Sequence, residues 1–199
     1  MTDSAPSPGN LLSKDDLTAL LRDRSLIVSP LLDANAQIGN TGIDLRLDCF
    51  LREFIRTQQP FLSPAHPAHG SVIREIEPFR ASTSFFLQPG EFALAQSLEY
   101  ISLPANVICF LNGRSSLGRR GLVVHATANV VDPGWRGHLV FELANLGTMP
   151  IELVPLMRIA RLVFLRIAPT AAYDGTYVGQ IRITPPGPDR LVAAIKKLA

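Results

Sequence analysis

Apolar and polar residues alternate with a period of two along most of the chain. The alternation is clear in four segments, 43–47, 85–87, 92–95 and 139–143. Successive side chains of a strand point to opposite faces of a sheet, so each segment predicts a strand. Three further apolar runs complete the set, at 107–111, 151–153 and 162–165. Short strands about ten residues apart, with turns between them, predict a mainly β fold of the sandwich, barrel or jelly-roll kind.

One segment near the N-terminus has a helical period instead. Ser13 is followed three residues later by Asp16, which is the spacing of a capping box, and acidic residues favour the positive end of a helix. The apolar stripe that follows has helical spacing, with Leu17, Leu20 and Leu21. The sequence therefore predicts a short N-terminal helix that begins after Ser13.

Proline divides the rest of the chain. Sixteen of the 199 residues are proline, which is about 8% against a usual share near 5%. Residues 1–10 predict a flexible tail, and the proline-rich segment 58–82 predicts a long irregular excursion. We expect one domain over 11–184 and a divergent C-terminal tail over 185–199.

Composition narrows the class of protein. An apolar fraction of 47% with 18% charged residues excludes a disordered chain, and a net charge of +2 gives little attraction to nucleic acid. No apolar run approaches the ~18 residues that a membrane helix needs, and no secretory signal is recognisable. Two cysteines, Cys49 and Cys109, cannot form a disulfide framework. We expect a cytoplasmic protein with neither nucleic acid nor membrane as a partner.

Metal-binding motifs are weak in this sequence. His66 and His69 lie in the proline-rich segment without a third ligand nearby, so we interpret them as part of a solvated loop. The Cys-x-x-Cys pattern of zinc-dependent deaminases is absent, as are the glycine-rich motifs of the P-loop and the dinucleotide fold. The sequence predicts no zinc site and no resident metal.

A basic, glycine-containing segment follows the apolar run that ends at Leu111. Residues 112–121 read Asn-Gly-Arg-Ser-Ser-Leu-Gly-Arg-Arg-Gly. The two serines can cap a short helix and leave backbone N–H groups unbonded. Such N–H groups, together with guanidinium groups, suit a polyphosphate. A solvated basic turn explains the same spacing equally well.

A carboxylate lies in the middle of the predicted strand 139–143. The preceding residues 132–134, Asp-Pro-Gly, predict a turn. One face of the strand carries Leu139, Phe141 and Leu143, and the other carries His138, Val140 and Glu142. Taken alone, this pattern favours a carboxylate on the solvated face of a sheet. If another chain closes that face, Glu142 loses water and holds a proton more readily, which suits a proton shuttle.

Together these segments resemble the dCTP deaminases of the trimeric dUTPase superfamily. The resemblance covers most of the chain and is carried by FLQPGE at 86–91, GRSSLGR at 113–119, HATA at 125–128, DPGW at 132–135, FEL at 141–143 and RIA at 158–160. It implies a distorted β-barrel or jelly roll of the dUTPase-like type, assembled as a homotrimer with sites between subunits. It also implies hydrolytic deamination of dCTP to dUTP and ammonia without a catalytic metal. Mg²⁺ would accompany the triphosphate, and dTTP is a candidate inhibitor.

The resemblance assigns roles to individual residues. Glu142 is implied as the proton shuttle, Ser115 and the backbone of Ala128 as groups that position water, and Arg119 as a positive charge near the base. Substrate contacts are implied for Arg114, Ser116, Thr127, Asn129, Asp132, Trp135, Tyr173, Tyr177 and Gln180. Trp135 equally fits plain packing at a subunit contact, and we interpret Arg120 as a surface charge.

Two departures from the family pattern stand out. Relatives often carry a lysine at the position of Thr176, so one phosphate contact is in doubt. Relatives also have a Pro-Gly-Met turn where this chain has Pro155-Leu156-Met157, so the shape of that turn is in doubt.

Two other functions stay open. A dUTPase, or a bifunctional enzyme that releases dUMP and pyrophosphate, is one, because residues 114–116 and 158–162 also resemble dUTPase motifs. Asn129 favours deamination alone, since bifunctional relatives tend to have glycine there. A non-catalytic dNTP-binding trimer is the other, and the presence of Ser115, Arg119 and Glu142 argues against it.

Overall fold

The computed structural model describes residues 9–55, 57, 58, 60–63, 65, 73–76 and 84–184. Within these residues it contains three helices, α1 (Lys14–Arg22), α2 (Ala34–Gln37) and α3 (Ser115–Gly118). The strands of the same residues are β1 (Ile27–Ser29), β2 (Gly42–Phe54), β3 (Ile73–Ile76), β4 (Phe85–Leu87), β5 (Phe92–Ser102), β6 (Val107–Gly113), β7 (Leu122–Val123), β8 (Val130–Val131), β9 (Arg136–Asn145), β10 (Ile151–Leu153) and β11 (Arg158–Arg166).

Helix α1 begins where the sequence predicts. The backbone N–H of Asp16 donates to Ser13 Oγ over 3.2 Å, and the backbone N–H of Ser13 donates to the Asp16 carboxylate over 2.9 Å. This reciprocal pair satisfies two backbone donors that a helix start otherwise leaves unpaired. Leu17 is fully buried and anchors the helix to the core.

Most of the described strands form one curled antiparallel sheet. Its order is β7-β9-β5-β2-β11-β6-β8, with β1 also paired to β5 and β3 to β2. Strands β4 and β10 form a separate pair. The register shifts along β2 and β5, and such irregularities increase the local twist and bend of a strand. The mainly β, half-barrel architecture confirms the predicted fold class.

All seven predicted strand segments are strands in the structure. Sequence reasoning missed four short strands, β1, β3, β7 and β8, and the short helix α2, whereas it anticipated a short helix in the segment that contains α3. Two to four residues are too few to establish a period. Each of the four short strands pairs with a longer one. The structure finds no helix among the described residues that is long and apolar enough to span a membrane.

The core is built from the inward faces of the long strands. In β9 the side chains of Leu139, Phe141 and Leu143 are buried, whereas His138, Val140 and Glu142 are only half-buried. The predicted assignment of the two faces is therefore confirmed. Each apolar side chain of this size contributes roughly 1.5–3 kcal/mol when it leaves water.

Several sequence predictions lie outside the described residues. These are most of the N-terminal tail, His66 and His69, much of the proline-rich segment, and the C-terminal tail 185–199. The domain boundaries at 11 and 184 stay predictions.

Candidate active site

A cavity of about 410 Å³ opens beside β9. Seven of the predicted site residues line it: Ala128, Asp132, Trp135, Glu142, Tyr173, Tyr177 and Gln180. These residues come from a strand, a turn and a C-terminal segment that are distant in sequence. The tertiary structure therefore brings together one large part of the predicted site.

The Glu142 carboxylate is fixed at the edge of this cavity by backbone donors. Its Oε2 accepts hydrogen bonds from the N–H groups of Ala126, over 2.8 Å, and Thr127, over 3.3 Å. The backbone N–H of Glu142 donates to the Val124 carbonyl over 3.0 Å. Because both carboxylate bonds use Oε2, among the described residues Oε1 is the oxygen left to exchange a proton with a ligand.

The Asp-Pro-Gly turn builds an aromatic wall of the cavity. The backbone N–H of Trp135 donates to the Asp132 carbonyl over 3.2 Å, and the backbone N–H of Tyr173 donates to the Pro133 carbonyl over 2.8 Å. These bonds bring the Trp135 and Tyr173 rings to a centroid distance of 5.5 Å at 41°. Trp135 is almost fully buried, and its Nε1 has no hydrogen-bond partner within the described part of the chain. The two rings form an aromatic wall, which suits a planar and partly apolar ligand.

The predicted closing segment packs against β9 of its own chain. Gly137 pairs with Gln180 in an isolated bridge, and the His138 N–H donates to the Gln180 carbonyl over 2.8 Å. Gly137 has a φ of 141°, and a Cβ added there would lie 2.8 Å from the Gln180 carbonyl oxygen. The close approach of the two backbones therefore requires glycine at this position.

The basic segment 112–121 forms a different surface. Helix α3 begins at Ser115 with Arg114 as its N-cap, and no side chain caps it. The prediction that the serines cap this helix is wrong, because they occupy its first two helical positions. Ser115, Ser116 and Arg119 are exposed and share a shallow surface with Arg120.

Arg120 agrees with its interpretation as a surface charge. Its side chain is exposed, and its Nη1 donates to the Ser116 carbonyl over 2.6 Å. The hydrogen bond holds the end of α3 to its start.

Thr127 and Asn129 support the cavity through their backbones. The Thr127 N–H bonds to Glu142, and the Asn129 carbonyl accepts a hydrogen bond from the Leu111 N–H over 2.7 Å. Neither residue is among those that line the cavity in the described chain. Through these two hydrogen bonds, the backbone segment that holds the Glu142 carboxylate is connected to β6.

A single chain does not assemble the whole predicted site. The cavity carries Glu142, whereas Arg114, Ser115, Ser116 and Arg119 are absent from its lining in the described part of the molecule. The two groups of residues therefore lie on separate surfaces of one chain.

Sequence reasoning missed several cavity residues. His125 lines the cavity, and its Nδ1 is buried without a hydrogen-bond partner among the described residues. Leu94 also lines it and pairs with Glu142 across β5 and β9. Val140 follows from the alternation that identified Glu142, because it shares that face. Only strand pairing reveals Leu94, and nothing in the spacing distinguishes His125 from a core histidine.

The described residues contain no cluster of side chains that could bind a metal ion. No group of three or more His, Cys, Asp or Glu side chains there is arranged to hold a metal ion.

A family model described as dCTP deaminase-like matches residues 11–167, which include β9, α3 and most of the cavity. The chain belongs to the dCTP deaminase-like family. Among members of this family, it is 38% identical over 158 residues to a dCTP deaminase from Halorubrum lacusprofundi, covering 79% of this chain and 77% of that protein. It is 41% identical over 171 residues to a protein from Mycobacterium avium described as a dUMP-forming dCTP deaminase. That match covers 85% of this chain and 88% of the other protein.

A solved structure agrees with the fold of this dCTP deaminase-like chain. The crystal structure of a 2′-deoxycytidine 5′-triphosphate deaminase from Agrobacterium tumefaciens superimposes with a TM-score of 0.62 at 21% sequence identity. The match covers 81% of this chain and 48% of that one, so this chain spans about half of its length.

Proposed function

We propose that this protein catalyses the hydrolytic deamination of dCTP to dUTP and ammonia, in the supply of dUTP for thymidylate synthesis. The observation that carries the proposal is Glu142, a carboxylate held by two backbone N–H groups at the edge of a cavity with an aromatic wall. The names of the relatives support it, because the protein from Halorubrum lacusprofundi is described as a dCTP deaminase.

The reaction needs one group that moves protons at the base. Glu142 takes a proton from water as the water oxygen bonds to C4, and it delivers this proton to N3 of the ring. The resulting tetrahedral carbon carries a hydroxyl group and the amine. Glu142 then moves the hydroxyl proton to the amine, the C4–N bond breaks, and ammonia leaves while the C4 carbonyl forms. The carboxylate is unchanged after the cycle, so protons and electrons balance.

The second half of the site comes from another copy of the chain in this proposal. Ser115, Arg119 and the Glu142 cavity lie on separate surfaces of one chain, and a homotrimer would bring α3 of one subunit to the cavity of the next. Ser115 and the Ala128 backbone would then position the water, and Arg119 would place its charge beside the base. Closing the face would also remove water from Glu142.

The phosphates of the substrate fit the basic segment. Arg114 and Ser116 would contact the triphosphate, which brings Mg²⁺ as part of the substrate, and Asp132 and Trp135 would face the deoxyribose. Tyr173, Tyr177 and Gln180 would close over the nucleotide and exclude water. We also propose dTTP as an inhibitor that shares this site, and the cytoplasm as the location.

Incubation of the purified protein with dCTP and Mg²⁺, followed by separation of the nucleotides, tests the proposal. Wild type releases dUTP and ammonia. The Glu142→Gln variant keeps its fold and its nucleotide binding but loses turnover by about 10²-fold or more, because an amide cannot shuttle the proton. Glu75→Gln is a matched control, since the Glu75 side chain is exposed on β3. Substantial activity of Glu142→Gln would reject Glu142 as the proton shuttle.

The same assay tests a second candidate function. The relative from Mycobacterium avium is described as dUMP-forming, which favours a bifunctional enzyme that also cleaves dUTP. Release of dUMP and pyrophosphate would establish that activity, whereas accumulation of dUTP would limit the enzyme to deamination. Binding of dCTP without any turnover would leave a dNTP-binding trimer.

A further inference from the structure

The closing segment, residues 173–184, is held on its own chain at two points. Near its start the backbone N–H of Tyr173 donates to the Pro133 carbonyl over 2.8 Å. In its second half the backbone N–H of Gly179 donates to the Arg136 carbonyl of β9 over 2.7 Å. Both bonds tie the segment to the turn and the strand that border the cavity.

The stretch between these two points, residues 174–178, makes few contacts. Tyr177 and Val178 are 38% and 45% exposed. The backbone N–H of Val178 donates to the Gly175 carbonyl over 3.2 Å, which is a bond inside the stretch itself. In the described chain no backbone hydrogen bond joins the stretch to a strand. We name residues 174–178 the flap.

A buried glutamine on β5 contacts the closing segment beyond the flap. Gln96 is only 2% exposed, and its side-chain Nε2 donates to the Asp48 carboxylate over 2.6 Å. The same nitrogen lies 3.5 Å from the Ile181 carbonyl oxygen. A primary amide has two N–H donors, so one bonds to Asp48 and the other is directed at the closing segment. Asp48 therefore fixes the orientation of the amide that contacts Ile181.

A cation lies over an aromatic ring at the next residue of the segment. The guanidinium carbon of Arg182 is 4.7 Å from the centroid of the Phe50 ring on β2, which is within the range of a cation–π contact. Ile183, which follows, is almost fully buried. The closing segment thus contacts the neighbouring strands β9, β5 and β2 in succession. We name Asp48, Gln96, Phe50 and Arg182 the latch.

We propose that the latch holds residues 179–184 in place before a nucleotide binds, so that closure of the site is confined to the flap. The inference rests on the proposed function, in which this segment closes over the nucleotide. Ordering a chain segment costs conformational entropy, so a segment that is already held leaves only the flap to be ordered on binding. The latch residues contact the closing segment, and none of them lines the Glu142 cavity in the described chain. They are therefore positioning residues.

Amide hydrogen exchange tests where the closing segment is held. In ligand-free wild type, we expect the Gly179 N–H to exchange about tenfold or more slower than an unprotected amide, and the flap amides to exchange faster than Gly179. Addition of dCTP to the Glu142→Gln variant, which prevents turnover, slows the flap and leaves Gly179 within about twofold. An unprotected Gly179 N–H in the ligand-free protein overturns the latch, as does slowing of Gly179 by dCTP that equals the slowing of the flap.

Two substitutions at the cation–π contact connect the latch to catalysis. Arg182→Gln removes the cation and Phe50→Leu removes the ring, so each raises the exchange rate of Gly179 and the KM for dCTP about two- to fivefold. The kcat changes by less than about twofold, because the segment holds the substrate and the transition state alike. Arg182→Lys keeps a cation over the ring and restores values close to wild type. The double variant loses no more than either single variant, since both substitutions remove the same contact.

Controls separate the latch from folding and from the proposed function. Arg22→Gln removes an equal charge from the exposed end of α1 and leaves exchange and KM at wild-type values. Wild-type exchange of Gly179 and wild-type KM in Arg182→Gln overturn the latch, as do additive effects in the double variant. If Phe50→Leu does not fold, the comparison of Arg182→Gln with Arg182→Lys decides alone. If wild type fails to convert dCTP, the proposed function fails, and exchange of Gly179 in ligand-free wild type and Arg182→Gln still decides the latch.

Discussion

Glu99 is a buried acid whose ionisation is coupled to folding. Its side chain is fully buried on β5, where Oε1 accepts a hydrogen bond from Gln37 Nε2 over 2.8 Å and Oε2 accepts one from the Arg46 N–H over 2.9 Å. Burial raises the pKa of the Glu99 carboxyl from 4.5 to about 7, and these hydrogen bonds offset only part of the effect. The folded protein therefore holds a proton at a pH at which the unfolded chain has released it.

The sign and size of the effect on stability follow from this difference in pKa. Between pH 4.5 and about 7 the folded state binds more protons at Glu99 than the unfolded state, so the free energy of unfolding falls as the pH rises. At about 1.36 kcal/mol for each unit of pKa, the full difference corresponds to about 3 kcal/mol. Below this window both states are protonated, and above it both are ionised.

Denaturant unfolding at pH 5, 6, 7 and 8 measures this contribution. Wild type and Glu99→Gln are compared at one protein concentration, with Glu75→Gln as an exposed control. Because glutamine does not titrate, the stability of wild type relative to Glu99→Gln decreases by about 2–3 kcal/mol from pH 5 to pH 8. A difference that is constant with pH, or that grows in favour of wild type, would refute the assignment of a proton to buried Glu99.

Two further substitutions test the backbone conformation at Leu156 and the close backbone contact at Gly137. Leu156 has a φ of 60°, which is costly for a residue other than glycine, so Leu156→Gly raises the free energy of unfolding by roughly 0.5–1 kcal/mol. A lower midpoint of chemical denaturation would contradict this strain. Gly137→Ala places a Cβ against the Gln180 backbone, so it displaces the closing segment, raises the KM for dCTP and changes the fluorescence of Trp135, the single tryptophan. Unchanged KM and fluorescence would show that this contact does not hold the segment.

The turn at Leu156 illustrates what a departure from the family pattern means physically. The sequence raised a doubt about this turn because glycine is absent. In the structure Leu156 adopts the left-handed conformation, and its N–H donates to the Leu47 carbonyl over 2.9 Å. Its carbonyl accepts a hydrogen bond from Arg46 Nη1 over 2.7 Å. Contacts with β2 thus impose the turn on a residue that disfavours it.

The candidate site was predictable only in part. The alternation in β9 identified the face of Glu142, and the DPGW motif identified the turn that holds Trp135. Cavity residues such as Leu94 and His125 could not be found in this way, because they reach Glu142 through strand pairing and loop packing. Spacing along the chain did not show the separation of α3 from the cavity, since it depends on where distant strands lie in the sheet. Only the family resemblance implied a site shared between subunits.

The sequence alone determined those features that depend on neighbouring residues. The capping box of Ser13 and Asp16 fixes the start of α1. The period of two in β9 places the core side chains and Glu142 on opposite faces of the strand. Both features involve only residues that are a few positions apart. The tertiary structure decided which distant groups meet. It anchors Glu142 on the Ala126 and Thr127 backbone, and its bulge in β11 turns Arg158 and Arg161 toward Asp44. Which distant strands pair, and where a bulge interrupts their pairing, depends on contacts between residues far apart in the sequence.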